Sequence, residues 1–512
     1  MVTIAGSGTC TIAASQSGGG NYNAAASVSQ SFMVACNLTG AGASPCSTSS
    51  TGYSFEDGGG TAFTTVGNGS GTAVGYGIVD PNNGTAAPAA VAIFGYTANG
   101  VLVTEAGVPA MEPVLSGRMY AEFDGPVNTG MAFANPNSGA ATITFYFTDQ
   151  AGAASGEGSF VLDGGDHISR FLDQPPFNKA APFSGTLTFT ASVPVGVISL
   201  RAFTNERSDF TVTTQTIAPT VPDSSGLLVM AQYADGGGWK TQVLLVNSSD
   251  HPISGTVQFF NEGSGSTAAE PIVLTINGAP RRLVEYGIPA RASVKMETGN
   301  AGAAIQIGSV RVTPHAGSSA PSGFTLFQFT NNGVTAALAS VPGQQAGTEF
   351  RTYVESLGVS GAPGSIRSGV AIANLSGAPA AIDFELTPLG GGTAFTGSVT
   401  VPANGHIAKL IDELLPAAPL SLRGVLKVTS GPSPIVVTGL RTRYNARGDF
   451  LITTTPAINE ATPASSAALV FPHIVNISGY TMEYILFSGS EAGGGAVLFF
   501  DETGQPMIMA DQ

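Results

Sequence analysis

The residues able to do chemistry in this sequence are few, and most of them come in pairs. His167, Asp173, Arg201, Asn205, Arg207 and Asp209 meet His406, Asp412, Arg441, Asn445, Arg447 and Asp449 when Gly165 is laid on Asn404 and Leu200 on Leu440. Guanidinium, amide and carboxylate groups at repeated places suit hydrogen bonding to a hydroxyl-rich ligand, so one reading is a carbohydrate-contacting patch. The simpler reading is structural. Asp173 ends a turn, Arg201 and Asn205 tie a loop to backbone carbonyls, and Arg207 and Asp209, two apart on a strand, share a face and pair. His167, just before an apolar turn, fits a packed or capping histidine better than a ligand. Catalytic sets do not assemble. No serine has glycine at both the second position before and the second after it, and the five histidines show neither H-x-H nor H-E-x-x-H spacing. No catalytic residue, cofactor-binding residue or metal ligand is assigned.

Three further features carry weaker chemistry. The lone tryptophan, Trp239, follows three glycines and has Tyr480 as its counterpart. It can stack on a sugar ring or cover the edge of a core, and the core reading is the simpler. The loops holding Glu56 with Asp57 and Asp163 with Asp166 are acidic, but they lack the dense ligand spacing that Ca²⁺ requires, so no cofactor is expected. Cys36 and Cys46 flank a small-residue loop and can form a disulfide, which leaves Cys10 over.

The elements that must position these residues repeat as well. Laid on Pro314, the stretch from Pro81 to Pro109 finds Gly84, Pro88, Phe94, Asn99 and Gly100 matched without a gap. The pattern divides the chain into a Gly/Ser/Thr-rich linker at 36–70, a partial B-type unit at 71–111, unit A1 at 112–220, unit B1 at 226–343, unit A2 at 347–458 and a truncated B-type unit at 466–512. Within A1, TITFYFTD puts Ile143, Phe145 and Phe147 on one face, and GTLTFTAS turns Leu187 and Phe189 inward. Six or seven such strands in about 110 residues, with turns every 8–12, predict a β-sandwich. Short helical turns are expected only at the segments beginning Ile168 and Ile407, each followed by proline.

Composition agrees with this and excludes other classes. Only 10% of the 512 residues are charged, 43% are hydrophobic, and glycine (68) and proline (32) are abundant. The net charge of −15 leaves nothing to neutralise phosphates, so nucleic acid and anionic membrane surfaces are not expected partners. No apolar run is long enough for a membrane-spanning helix. The first residues have neither the basic nor the apolar region of a secretory signal.

Residues Gly8-Thr9-Cys10-Thr11-Ile12, Asn21-Tyr22-Asn23-Ala24-Ala25 and Val28-Ser29-Gln30-Ser31-Phe32 resemble the end of a bacterial Ig-like repeat, a family found in tandem in large surface and secreted proteins. The resemblance implies that 1–35 are the C-terminal strands of such a domain, and that Cys10 has its partner in an earlier half. From 71 onward, Pro126-Val127-Asn128-Thr129-Gly130, Ala134-Asn135-Pro136-Asn137, Phe171-Leu172-Asp173, Leu200-Arg201 and Thr204-Asn205-Glu206-Arg207 are similar to β-sandwich repeats of large secreted proteins of environmental bacteria. That resemblance implies architecture and an extracellular or cell-surface location, and no activity.

The expected protein is therefore all-β: tandem Ig-like or β-sandwich domains in an extended array, cut at both ends. The expected function is non-enzymatic, a stalk, spacer or adhesin-like display scaffold, with surface glycans or other extracellular proteins as partners. The alternative is a set of carbohydrate-binding accessory modules of a larger secreted enzyme, which aromatic platforms recurring in the repeated units would favour.

Overall fold

The computed structural model describes residues 8–16, 25–34, 50–65, 73–82, 84–220, 226–300, 302–462, 465–477, 479–489 and 492–507. The fold is all-β, with antiparallel pairing throughout and a single short helix, Ile411–Leu414, among these residues. Alternation does what it predicts: Ile143, Phe145, Phe147, Leu187 and Phe189 are buried.

Unit B1 shows the plan. The eight strands of its two main sheets are Leu228–Asp235, Trp239–Val246, Ile253–Phe260, Val284–Ile288, Ser293–Glu297, Gln306–Pro314, Ser322–Asn331 and Val334–Pro342, and Leu274–Ile276 pairs with Ala279–Arg281 as a small separate hairpin. The first, sixth, third and fourth pair in that order to make one sheet. The fifth, second, seventh and eighth make the other. Side chains from the two inner faces form the core between them. A2 repeats this order, with strands Glu349–Leu357, Ile366–Asn374, Ala380–Pro388, Phe395–Val401, His406–Leu410, Leu422–Thr429, Ile435–Tyr444 and Phe450–Thr455. A1 differs in one respect: its sixth and seventh strands are the continuous Phe183–Thr204, whose register breaks between Thr190 and Val195 as it passes from one sheet to the other.

The fourth sandwich corrects three expectations. The partial units at 71–111 and 466–512 are not two incomplete domains. Leu469–Asn476, Tyr480–Phe487 and Gly493–Asp501 supply the first three strands of one sandwich, B2. Ser50–Phe55, Gly60–Thr64, Ala73–Pro81, Ala89–Ala98 and Val101–Pro109 supply its remaining five. The pairings are those of B1, strand for strand. Residues 50–64 of the expected linker are therefore two strands. The array is also not extended, because joining residues near the two ends of the chain in one sandwich closes the four units into a ring. The helical turn expected from Ile168 is absent as well. Residues His167–Phe171 are a strand paired to Gly130–Ala134, and the ladder outweighs one isolated helical turn. Ahead of the ring, Gly8–Gln16 and Ala25–Val34 pair as a hairpin.

Local sequence explains details of the closure. The seventh and eighth strands of both B units are joined by Asn-Gly turns, Asn99-Gly100 and Asn332-Gly333, with φ of 51° and 76° and of 49° and 76°, the left-handed geometry that a two-residue hairpin needs. Gly75 permits the pairing between the two ends of the chain: a Cβ there would lie 1.8 Å from the Phe500 carbonyl oxygen. Its counterpart, Gly308, would put a Cβ 1.9 Å from the Phe260 oxygen. Gly75→Ala is expected to destabilise the ring by about 1–3 kcal/mol, the usual range for overpacking, as a lower midpoint in thermal unfolding. An unchanged midpoint would contradict the role given to this contact.

The four eighth strands line the axis of the ring, each touching its two neighbours. Side-chain hydroxyls complete the circuit. Thr104 Oγ1 accepts from the Val212 amide at 3.1 Å, Ser340 Oγ donates to the Thr214 carbonyl at 2.5 Å, Thr454 Oγ1 donates to the Ser340 carbonyl at 2.8 Å, and Thr453 Oγ1 accepts from the Gly107 amide at 3.1 Å.

Candidate functional site

The ring brings the repeated polar residues together at its axis and at the seams between units. On the axis, the loops before the eighth strands of A1 and A2 face each other. Arg207 Nη2 meets Asp449 Oδ2 at 2.8 Å, and Arg447 Nη2 meets Asp209 Oδ2 at 2.7 Å. Each arginine also meets the aspartate of its own loop, at 3.2 Å in A1 and 2.9 Å in A2. The result is a four-membered charge ring around a local two-fold. Its arginines hold the Asp449 carboxyl below the usual carboxylate range, against the upward push of burial. Asn205 and Asn445 shape the loops beneath. Their side-chain oxygens each accept two backbone amides of their own loop, and their amide groups donate to the Thr335 and Leu102 carbonyls of B1 and B2 at 2.9 Å. The pairs are half-exposed, so a double-mutant cycle on Arg207 and Asp449 is expected to give a coupling of about 1 kcal/mol or less. A coupling above about 2 kcal/mol would require a drier site than this one.

At the A1–B1 and A2–B2 seams the charges are buried. Arg201 and Lys295 both engage Glu122, Lys295 at 2.6 Å. Burial pushes the Glu122 carboxyl up, and the two cations more than offset that, holding it low. In A2 the equivalent Arg441 is 1% exposed and meets Glu105 at 2.6 Å and Glu355 at 3.2 Å, with Glu483 at 3.8 Å. Arg443 and Arg423 complete the set, on Glu105 at 2.9 Å and on Glu355 and Glu483 at 3.2 and 3.0 Å. Apolar clusters surround both networks, Tyr120 with Phe324 and Leu338 in one and Tyr353 with Ile93 and Ile485 in the other. Asp412 meets Arg367 at 3.7 Å, and Asp173 accepts from Asn128 at 2.9 Å.

Sequence reasoning missed the first-strand motif behind these networks. Arg118, Tyr120 and Glu122 alternate along one strand of A1, and Arg351, Tyr353 and Glu355 along its copy in A2. The offset is the one that lays Pro81 on Pro314, so the signal was present. Glu105 and Glu483 lack charged counterparts in B1, where Leu338 and Gln242 stand, and so carried no repeat signal.

The B2–A1 and B1–A2 seams hold three of the five histidines. His167 stacks on His473, with ring centroids 5.5 Å apart, and on Tyr76 at 6.5 Å, and Tyr76 stacks on Phe500. His406 lies in the matching place of the other seam, where Gln232 replaces His473. Neither ring nitrogen of His167 or His406 makes a hydrogen bond of ordinary geometry, although the Pro472 and Ala231 backbones lie close enough to oppose the loss of charge. Burial pushes His406 down to about 3 and His473 to about 4, and holds His167 well below its ordinary value.

Beside each histidine runs a row of aromatic rings. In the B1–A2 seam Trp239 packs on Phe329 at 4.8 Å and edge-on to Phe327 and Phe450. In the B2–A1 seam Tyr480 stacks on Tyr96 at 4.5 Å and packs at a tilt against Phe94, with Phe210 edge-on to Tyr96. Trp239 and Tyr480 are half-buried, covering the core and also facing a cleft. The clefts measure about 370 and 390 Å³. Among the described residues no cluster of three metal-ligating side chains occurs, and no helix is long and apolar enough to cross a membrane. Cys36 and Cys46 lie outside the described residues. Compared with protein-family models, with curated proteins and with solved structures, the chain finds no match.

Proposed function

We propose that this chain is a non-enzymatic display scaffold of an extracellular or cell-surface protein, its four sandwiches forming a closed head. The hairpin at 8–34 is then the end of a preceding Ig-like domain that carries the head. One observation supports this most directly. The recurring charged residues, the natural candidates for chemistry, are engaged with one another across unit boundaries, where they hold the ring closed. A closed ring fits the display part of the expected role better than that of an extended spacer. The test is protease accessibility on intact cells of the source organism, read with an antibody to the ring. Cleavage by added protease supports the reading, and a purely cytosolic, protected signal overturns it.

A second reading, carbohydrate contact at the seams, is favoured by the aromatic rows that recur in both. Sugar rings pack their C–H faces on aromatic side chains. Titration of the Trp239 fluorescence with soluble oligosaccharides tests it. A saturable change that Trp239→Phe abolishes supports it, and an unresponsive tryptophan across neutral and acidic saccharides counts against it.

A further inference from the structure

The two aromatic clefts are copies, yet their charges differ. Near the B1–A2 cleft the cation is Lys409. It faces Glu413 at 3.9 Å, and its field also reaches Glu262, which lines the cleft. In the B2–A1 cleft the corresponding cation is Arg170, and Glu413 is replaced by the neutral Gln174. Gln174 Oε1 accepts the Phe171 amide at 3.0 Å. Arg170 is exposed, donates to the Ser169 carbonyl at 2.7 Å, and has no ion pair among the described residues. Asp173 nearby is turned to Asn128, and Glu502, the counterpart of Glu262, is also exposed and makes no ion pair with Arg170.

A guanidinium without an ion pair and a half-buried aromatic wall form a two-part recognition surface. The guanidinium suits a carboxylate, which it can hold through two parallel hydrogen bonds. The wall formed by Tyr480, Phe210 and Phe171 suits the apolar face of a ring. We propose that the B2–A1 cleft binds a uronic acid unit of an acidic polysaccharide, with Arg170 on the carboxylate. The B1–A2 cleft, whose cation is already matched, does not share this preference. The proposal rests on the carbohydrate reading of the seams.

Isothermal titration with tetragalacturonate and with its neutral methyl ester, on the whole chain, tests it. Binding of the acid is expected to exceed that of the ester, and Arg170→Gln is expected to weaken it about tenfold or more, a typical loss for a charge-assisted pair. Lys409→Gln is expected to leave it unchanged. Arg170→Gln removes an exposed side chain without an ion pair, so its unfolding midpoint should stay at the wild-type value and separate recognition from folding. Equal binding of acid and ester, or an indifferent Arg170→Gln, overturns the proposal. If neutral saccharides bind with a Trp239 response, the carbohydrate reading survives that failure. If no saccharide of either kind binds, both fall together. Displacement of the uronate preference by an acidic peptide at the same cleft would also overturn it.

Discussion

Arg441→Met is expected to cost the ring at least about 3–5 kcal/mol, the range for breaking a buried ion pair by removing one partner. The guanidinium is 1% exposed and is the common partner of Glu105, Glu355 and Glu483, which come from two units and from both ends of the chain. Burial alone would lower its pKa, but the three carboxylates raise it above the ordinary arginine value. Without it, those carboxylates stay in an apolar seam with only Arg423 and Arg443, both partly exposed, to balance them. The same effect predicts the behaviour of a compensated variant. The A1–B1 seam places Leu338 and Phe203 where Glu105 and Arg443 stand. Glu105→Leu with Arg443→Phe copies that arrangement and leaves Arg441 on Glu355. It is expected to be neutral to within about 1 kcal/mol or to stabilise, because well-packed apolar groups replace a buried pair without loss. Urea unfolding of both variants is the measurement. A loss below about 1 kcal/mol for Arg441→Met would show that the network does not hold the seam.

Acidification is expected to weaken the ring between about pH 6.5 and pH 4, before most carboxylates are protonated. His167 and His406 are buried and His473 is half-buried in the two other seams, with lowered pKa values, about 3 for His406 and about 4 for His473. Above pH 6.5 these rings are neutral whether the chain is folded or unfolded, and they carry no penalty. Below it the unfolded chain binds their protons and the folded chain does not. Each ring then removes up to about 1.4 kcal/mol of stability per pH unit until its folded pKa is reached. Tyr76, Arg170, Asp166 and Asp501 are the charged or titratable neighbours of the His167–Tyr76 stack. Glu262, Glu460 and Glu483 act in the opposite sense, since burial raises their pKa values and the folded chain takes up their protons first. Glu122, Glu206 and Asp449, held low by their partners, add to the loss at lower pH. The histidine share is isolated by comparison with a variant carrying His473→Gln, the residue found at the copied position in B1, together with His167→Gln and His406→Gln. Its stability should fall less steeply over the same interval. An identical slope in the two proteins would remove the histidines from the account.

Much of the architecture was legible because it is local. Periodicity at Ile143, Phe145 and Phe147 gives strands, Asn-Gly at 99 and 332 gives hairpins, and the repeat of Pro81–Pro109 in Pro314–Pro342 gives equivalent units. The polar set was legible as a set, since Arg201, Asn205 and Arg207 have copies at one offset and His167 has its copy at an offset one residue shorter. What the set does was not, because its partners are distant. Arg207 pairs with Asp449, Asn205 with the Thr335 carbonyl and Arg441 with Glu105. The Ile168 segment looked helical by its spacing, and a strand ladder with Gly130–Ala134 decided otherwise.

The sequence by itself determined an all-β chain of repeated sandwiches, since side-chain alternation, turn residues and composition are properties of short segments. It also contained both parts of B2, but in an order that reads as two fragments. Only the tertiary structure decided that residues 50–109 and 469–507 are one domain and that the four domains close on themselves. Strand pairing depends on which unsatisfied edges meet in space, and no local pattern near Gly75 specifies that its partner is the carbonyl of Phe500. Closure in turn buries Arg441, stacks His167 on His473 and leaves Arg170 without an ion pair among the described residues, so the properties that bear on function arise at seams that belong to no single segment.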